Sequence, residues 1–78
     1  MTKKELKSNL ISMRNELEQD VSTLTSRDFG TVKIYAYKNR RILIEVEDKT
    51  GRMAPMPFFL DKDISRTTEV ISKALGIN

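Results

Sequence analysis

The sequence predicts a small α+β domain: a helix, a three-stranded antiparallel meander and a second helix (αβββα), with both helices on one face of the sheet. Three observations carry the prediction. Apolar residues recur at steps of three and four from Leu6 to Leu24, the period drops to two from Val32 onward, and a second helical stretch stops at Gly76. A chain of 78 residues has surface enough for one core, so residues 1–78 are expected to form a single domain.

Thr2-Lys3-Lys4-Glu5 has the spacing of a capping box, in which the Thr hydroxyl takes an orphan amide and Glu5 reaches back to the cap. From there Leu6, Leu10, Met13, Leu17, Val21 and Leu24 line one side of a helix ending between residues 19 and 25, and Ile11 widens the stripe. The segment from Ser22 to Gly30 is rich in helix breakers and reads as a loop.

Val32, Ile34 and Ala36 then alternate with Lys33, Tyr35 and Tyr37, and Ile42, Ile44 and Val46 with Arg41, Leu43 and Glu45. These are two strands of a hairpin, and parity selects the connection. A two-residue loop would set Ile34 opposite Leu43 and Val32 opposite Glu45, mixing apolar and polar faces. A three-residue loop, Lys38 to Arg40, pairs Ala36 with Ile42, Ile34 with Ile44 and Val32 with Val46, so the apolar sets coincide. Asp48-Lys49-Thr50-Gly51 closes the next hairpin as a type I turn followed by a left-handed glycine. That register puts Ala54, Met56, Phe58 and Leu60 on the core side. Pro55 and Pro57 then lack amides on the same side of the third strand, which makes it an edge. Asp61-Lys62-Asp63 leads into a helix over about residues 65–75, with Val70, Ile71, Ala74 and Leu75 inward, and Ile77 folds back after Gly76 as in a Schellman stop.

With 38% apolar and 32% charged residues the chain belongs to the globular class. The start carries charge without an apolar run behind it, so neither a secretory signal nor a membrane anchor is read, and a cytoplasmic location is expected. The absence of Cys and His excludes disulfides, thiol redox chemistry, the usual zinc sites and an imidazole base. Residues 1–28 hold five basic and five acidic side chains and residues 29–78 nine and six, so the net charge of +3 comes from the second part. Its densest point is Lys38-Asn39-Arg40-Arg41.

With the helices beneath the sheet, the opposite face shows Tyr37, Arg41 and Phe59 in one cross-strand row and Tyr35, Leu43 and Pro57 in the next. Lys33, Glu45 and Pro55 form the third row, and Thr31, Glu47 and Met53 the last. One end is aromatic and basic, the other acidic. The apolar side chains expose on the order of several hundred Å², close to the limit for a surface without a partner. Two occupants fit. Single-stranded nucleic acid would stack bases on Tyr35, Tyr37 and Phe59, with Leu43 between them and Lys33, Lys38, Arg40, Arg41 and Arg52 on the phosphates. A protein partner, or a second copy of the chain, would use the same residues, since Tyr, Phe and Arg are enriched at interfaces. Lys33 beside Glu45 is also a plain cross-strand pair.

The order helix, three strands, helix resembles that of the double-stranded RNA-binding domain, although Ser65-Arg66-Thr67-Thr68-Glu69 offers one Arg where that family carries a lysine cluster. Residues 31–75 also resemble the single-stranded DNA binders related to the transcriptional coactivator called positive cofactor four. The likeness lies in two strands joined by the basic loop Lys38-Asn39-Arg40-Arg41 and a strand ending Phe58-Phe59-Leu60 that runs into a helix. It implies a curved sheet for single strands and a helix for dimerisation. Both are analogies of topology.

No constellation points to catalysis. Asp61 and Asp63 could share Mg²⁺ but suit a helix N-terminus better, and Lys4 with Ser8 lacks the desolvated lysine a nucleophile needs. The expectation is a non-enzymatic binding module without cofactor or metal. Single-stranded nucleic acid is the first reading of its partner; a protein–protein module, regulator, inhibitor or homodimer is the alternative.

Overall fold

The computed structural model describes residues 1–19 and 23–77. The elements run α1 (Lys3–Gln19), β1 (Leu24–Asp28), β2 (Val32–Tyr37), β3 (Arg41–Glu47), β4 (Met53–Phe59) and α2 (Ile64–Leu75). The sheet is a four-stranded antiparallel meander in the order β1-β2-β3-β4, not the expected three-stranded one.

The added strand, β1, lies in the segment expected to be a loop. Its inward side chains are Thr25 and Arg27, so it lacks the apolar alternation that marks a half-buried strand. Polar groups of α1 satisfy them instead: Thr25 Oγ1 donates to Glu16 Oε2 (2.6 Å), and Arg27 pairs with Glu16 (2.9 Å) while donating to Ser12 Oγ (3.2 Å). Leu24, expected on the helical stripe, belongs to β1 and is exposed. Val21, also placed on that stripe, falls outside the described residues. The turn into β2 is a two-residue hairpin. Phe29 N–H donates to Val32 O (2.8 Å), and Gly30 holds φ +80°, a value glycine adopts without steric cost.

The β2–β3 and β3–β4 registers are those expected. Ile34 lies opposite Ile44 and Ala36 opposite Ile42, while Ile44 faces Met56 and Ile42 faces Phe58. The loop from Lys38 to Arg40 closes with Arg40 N–H on Tyr37 O (3.0 Å), and Arg40 takes φ +70°. A non-glycine residue there costs on the order of 1 kcal/mol. Arg40→Gly is therefore expected to stabilise the fold by up to about 1 kcal/mol in urea unfolding; a loss of stability would contradict the loop geometry. In the β3–β4 turn, Asp48 Oδ1 accepts from the Thr50 hydroxyl (2.7 Å), Thr50 N–H (2.8 Å) and Arg52 N–H (3.0 Å), which together hold its carboxyl below the ordinary value. Gly51 follows at φ +83°.

Main-chain bonds from Asp48 N–H to Arg52 O and from Leu60 N–H to Arg40 O, both 2.7 Å, fix the phase of the β3–β4 ladder. The amides of residues 54, 56 and 58 therefore point to β3, and Pro55 and Pro57 lie where an amide would face the free edge. This agrees with β4 as an edge strand.

The buried side chains of α1 (Leu6, Leu10, Met13, Leu17) and of α2 (Ile64, Ile71) meet Ile34, Ala36, Ile42, Ile44 and Leu60 in one cluster, with Ile11, Val32, Val46, Phe58, Leu75 and Ile77 packed against it. The Thr2 half of the capping box forms, with Glu5 N–H donating to Thr2 Oγ1 (3.1 Å), while the Glu5 carboxylate accepts from the Thr2 hydroxyl (3.1 Å). In α2 the inward face differs from expectation. Val70 and Ala74 are exposed, and Thr67, Thr68 and Ser72 are buried in their stead. The helix begins at Ile64 because Asp63 caps it, accepting from Ser65 N–H (3.0 Å), and the buried positions then run 64, 67, 68, 71 and 72, with Leu75 half-buried. Hydroxyls can be buried there because each finds a main-chain partner. Thr68 Oγ1 donates to Ile64 O (2.8 Å), Ser72 Oγ to Thr68 O (2.6 Å), and Thr67 Oγ1 accepts from Asp61 N–H (2.8 Å).

The expected C-terminal stop forms, with Ile77 N–H on Ser72 O (3.0 Å) and Gly76 in the left-handed conformation. Lys3 pairs with Glu69, joining the two helices and lowering the Glu69 pKa. On β4, Ala54 is exposed and Met56 half-buried although their register puts them on the core side; the apolar cluster does not extend over that corner of the sheet. Among the described residues no helix is long and apolar enough to cross a membrane.

Candidate nucleic-acid interface

The side chains that alternate away from the core make the outer face, and β1 extends its first three rows. Leu24 lies beside Tyr37 on one side of the β2–β3 loop, and Arg41 beside Phe59 on the other. Ser26, Tyr35, Leu43 and Pro57 follow in the second row, then Asp28, Lys33, Glu45 and Pro55 in the third. Phe59 keeps 64% of its surface exposed and Leu24 44%, values that mark both as apolar groups in water. Tyr35, Tyr37 and Leu43 are half-buried by their neighbours in the sheet.

The basic loop is rigidly held. Asn39 Oδ1 accepts from Arg41 N–H (3.1 Å), Lys38 N–H donates to Thr23 O (3.0 Å), and Arg40 uses both its amide, on Tyr37 O, and its carbonyl, which accepts from Leu60 N–H. Its main chain is tied down while the Lys38, Arg40 and Arg41 side chains stay exposed. The structure thus brings Tyr35, Tyr37, Lys38, Arg40, Arg41, Leu43 and Phe59 to one end of the sheet. It separates the other two expected site residues from them. Arg52 follows the β3–β4 turn at the opposite end, and from the Arg41–Phe59 pair to the Glu47–Met53 pair is a run of roughly 20 Å along the strands. Lys33 lies opposite Glu45 in the third row.

Asp28, Glu45 and Glu47 make the far half of the face acidic. The neighbouring Glu45 carboxylate, as a hydrogen-bond acceptor for the phenol, followed by desolvation and the Glu45 charge, raises the Tyr35 pKa above the ordinary phenol value. A raised phenol pKa stabilises the fold below the unfolded value of about 10, and the contribution fades as pH rises through the folded pKa. In a Tyr37→Phe background, where Tyr35 is the one phenol, Glu45→Gln is expected to move the phenolate absorbance transition to lower pH. A transition that stays in place would deny the hydrogen bond.

Sequence reasoning missed Leu24, Ser26 and Asp28. The available signal was the Gly30-Thr31 pair between two five- to six-residue stretches, a hairpin turn of the kind that places glycine first. Asp61 and Asp63, weighed as cation ligands, serve the start of α2: Asp61 Oδ1 accepts from Asp63 N–H (3.0 Å), and Asp63 caps the helix. Comparison with known families, characterised proteins and solved structures finds no match.

Proposed function

We propose that this chain is a non-enzymatic binding module, acting in the cytoplasm, that takes single-stranded nucleic acid on the hairpin end of its outer sheet face. The observation that carries the reading is the placement of Phe59, 64% exposed, beside Arg41, with Leu24 and Tyr37 across the Lys38–Arg40 loop. Rings with open faces stack on bases without reading them, and guanidinium and ammonium groups at the same end neutralise phosphates. The acidic half repels a phosphate chain, so the footprint is confined to Tyr35, Tyr37, Lys38, Arg40, Arg41, Leu43 and Phe59.

The same polarity favours a second reading. A face basic at one end and acidic at the other complements a second copy of itself turned end for end, so a homodimer, or a protein partner of matching charge, could cover it. Salt separates the two. Fluorescence anisotropy with a labelled mixed-sequence single strand should show affinity falling log-linearly as salt rises, whereas an apolar protein interface should scarcely respond. No binding at low salt, with light scattering giving twice the monomer mass, would replace the first reading by the second.

A further inference from the structure

Around the hairpin end, on the side of α1, lies an open cleft of about 400 Å³. Its apolar lining is Leu17 and Leu60, both nearly buried, and its basic lining is Arg14, Lys38, Arg40 and Lys62. These four cations come from three places in the chain: α1, the β2–β3 loop and the link into α2. Two carboxylates, Glu18 and Asp61, also line it, and Asp61 is engaged by the Asp63 amide. Tyr37 lines both this cleft and the shallow depression on the outer face that includes Arg41, Leu43 and Pro57. The two concavities therefore share a wall.

We infer that this cleft is a phosphate subsite, which grips the backbone of a single strand after it turns past Tyr37 and leaves the outer face. The inference rests on the nucleic-acid reading above. Four cations against two carboxylates leave the lining net positive, and a concave surface over an apolar floor concentrates that field. The position of Arg40 fits the same purpose, since the backbone there would favour glycine yet carries a guanidinium. A base stacked at the Tyr37–Phe59 end is linked by its own sugar-phosphate chain to the next phosphate, so the adjoining basic concavity meets the same ligand.

The test uses the full chain with a labelled mixed-sequence tetranucleotide and a dodecanucleotide. The short strand is covered by the outer face alone, whereas the long one also reaches the cleft. In the Arg14→Gln/Lys62→Gln variant the dodecanucleotide should lose about tenfold in affinity, and its salt slope should fall by about 1.4, or 0.7 for each phosphate contact removed. Tetranucleotide affinity should hold within about twofold. Lys62 is exposed, so Lys62→Gln alone gives a variant free of any folding defect, with about half the change in slope. An unchanged dodecanucleotide slope in a chain that binds both strands would overturn the subsite and leave the outer-face reading standing. Equal losses for both lengths would overturn it too, placing these cations on the face itself. Failure of the wild-type chain to bind either strand would overturn both readings.

Discussion

Ile44→Ala is expected to remove about 2–5 kcal/mol of folding stability. Ile44 is at the centre of β3, opposite Ile34 and Met56, with no exposed surface, in the cluster that joins both helices to the sheet. The loss has two parts: the transfer free energy of the deleted groups and the cavity left where two helices and three strands cannot all close in. A domain of this size has little margin, since whole-protein stabilities lie at about 5–15 kcal/mol, so a large part of the population should unfold without denaturant at moderate temperature. The paired substitution is Leu43→Ala, one residue away on the outer face, where the side chain is half-buried by its neighbours in the sheet. It is expected to cost about 1 kcal/mol or less. Urea unfolding of the two variants measures the contrast directly. Equal losses would mean that the two faces of the sheet are covered alike, and the docking surface would not exist.

The second large effect is on binding. Phe59→Ala is expected to weaken single-strand binding by the contribution of a stacked base, about 1–3 kcal/mol or roughly five- to 150-fold, while leaving the unfolding midpoint almost unchanged. The two readouts separate because Phe59 keeps 64% of its surface in water, so truncation removes little buried area. Arg41→Ala, beside it in the register, should instead lower the salt slope by about 0.7, as one phosphate contact is lost. Glu47→Gln, in the acidic half, serves as the control: it removes repulsion and should leave affinity unchanged or slightly raised. Wild-type affinity in the Phe59→Ala chain would rule out stacking on this face.

The candidate face was legible in proportion to how far its residues follow the period of two. Tyr35, Tyr37, Leu43 and Phe59 were placed correctly with respect to one another because their inward neighbours are apolar, and parity then leaves one register for each hairpin. Their partners in β1 had only the Gly30-Thr31 turn to announce them, because Thr25 and Arg27 face α1 and are satisfied by Glu16 and Ser12, contacts between segments rather than an apolar alternation. The separation of Arg52 from Arg41 had a similar origin. Both are basic residues in neighbouring segments, but a hairpin register sends them to opposite ends of a seven-residue strand.

By itself the amino-acid order determined the Thr2 cap, the two hairpin registers, the proline-blunted edge and the Gly76 stop. Each of these depends on residues close in sequence, or on a match between apolar sets that a slip of one position destroys. Only the tertiary structure decided the fourth strand, the phase of α2 and the reach of the core. Thr67, Thr68 and Ser72 rather than Val70 and Ala74 turn inward because the Asp63 cap sets the start of the helix and main-chain partners satisfy the buried hydroxyls. Hydrophobicity alone ranks those positions the other way. The balance is reversed by hydrogen bonds whose partners are known only once the chain has folded.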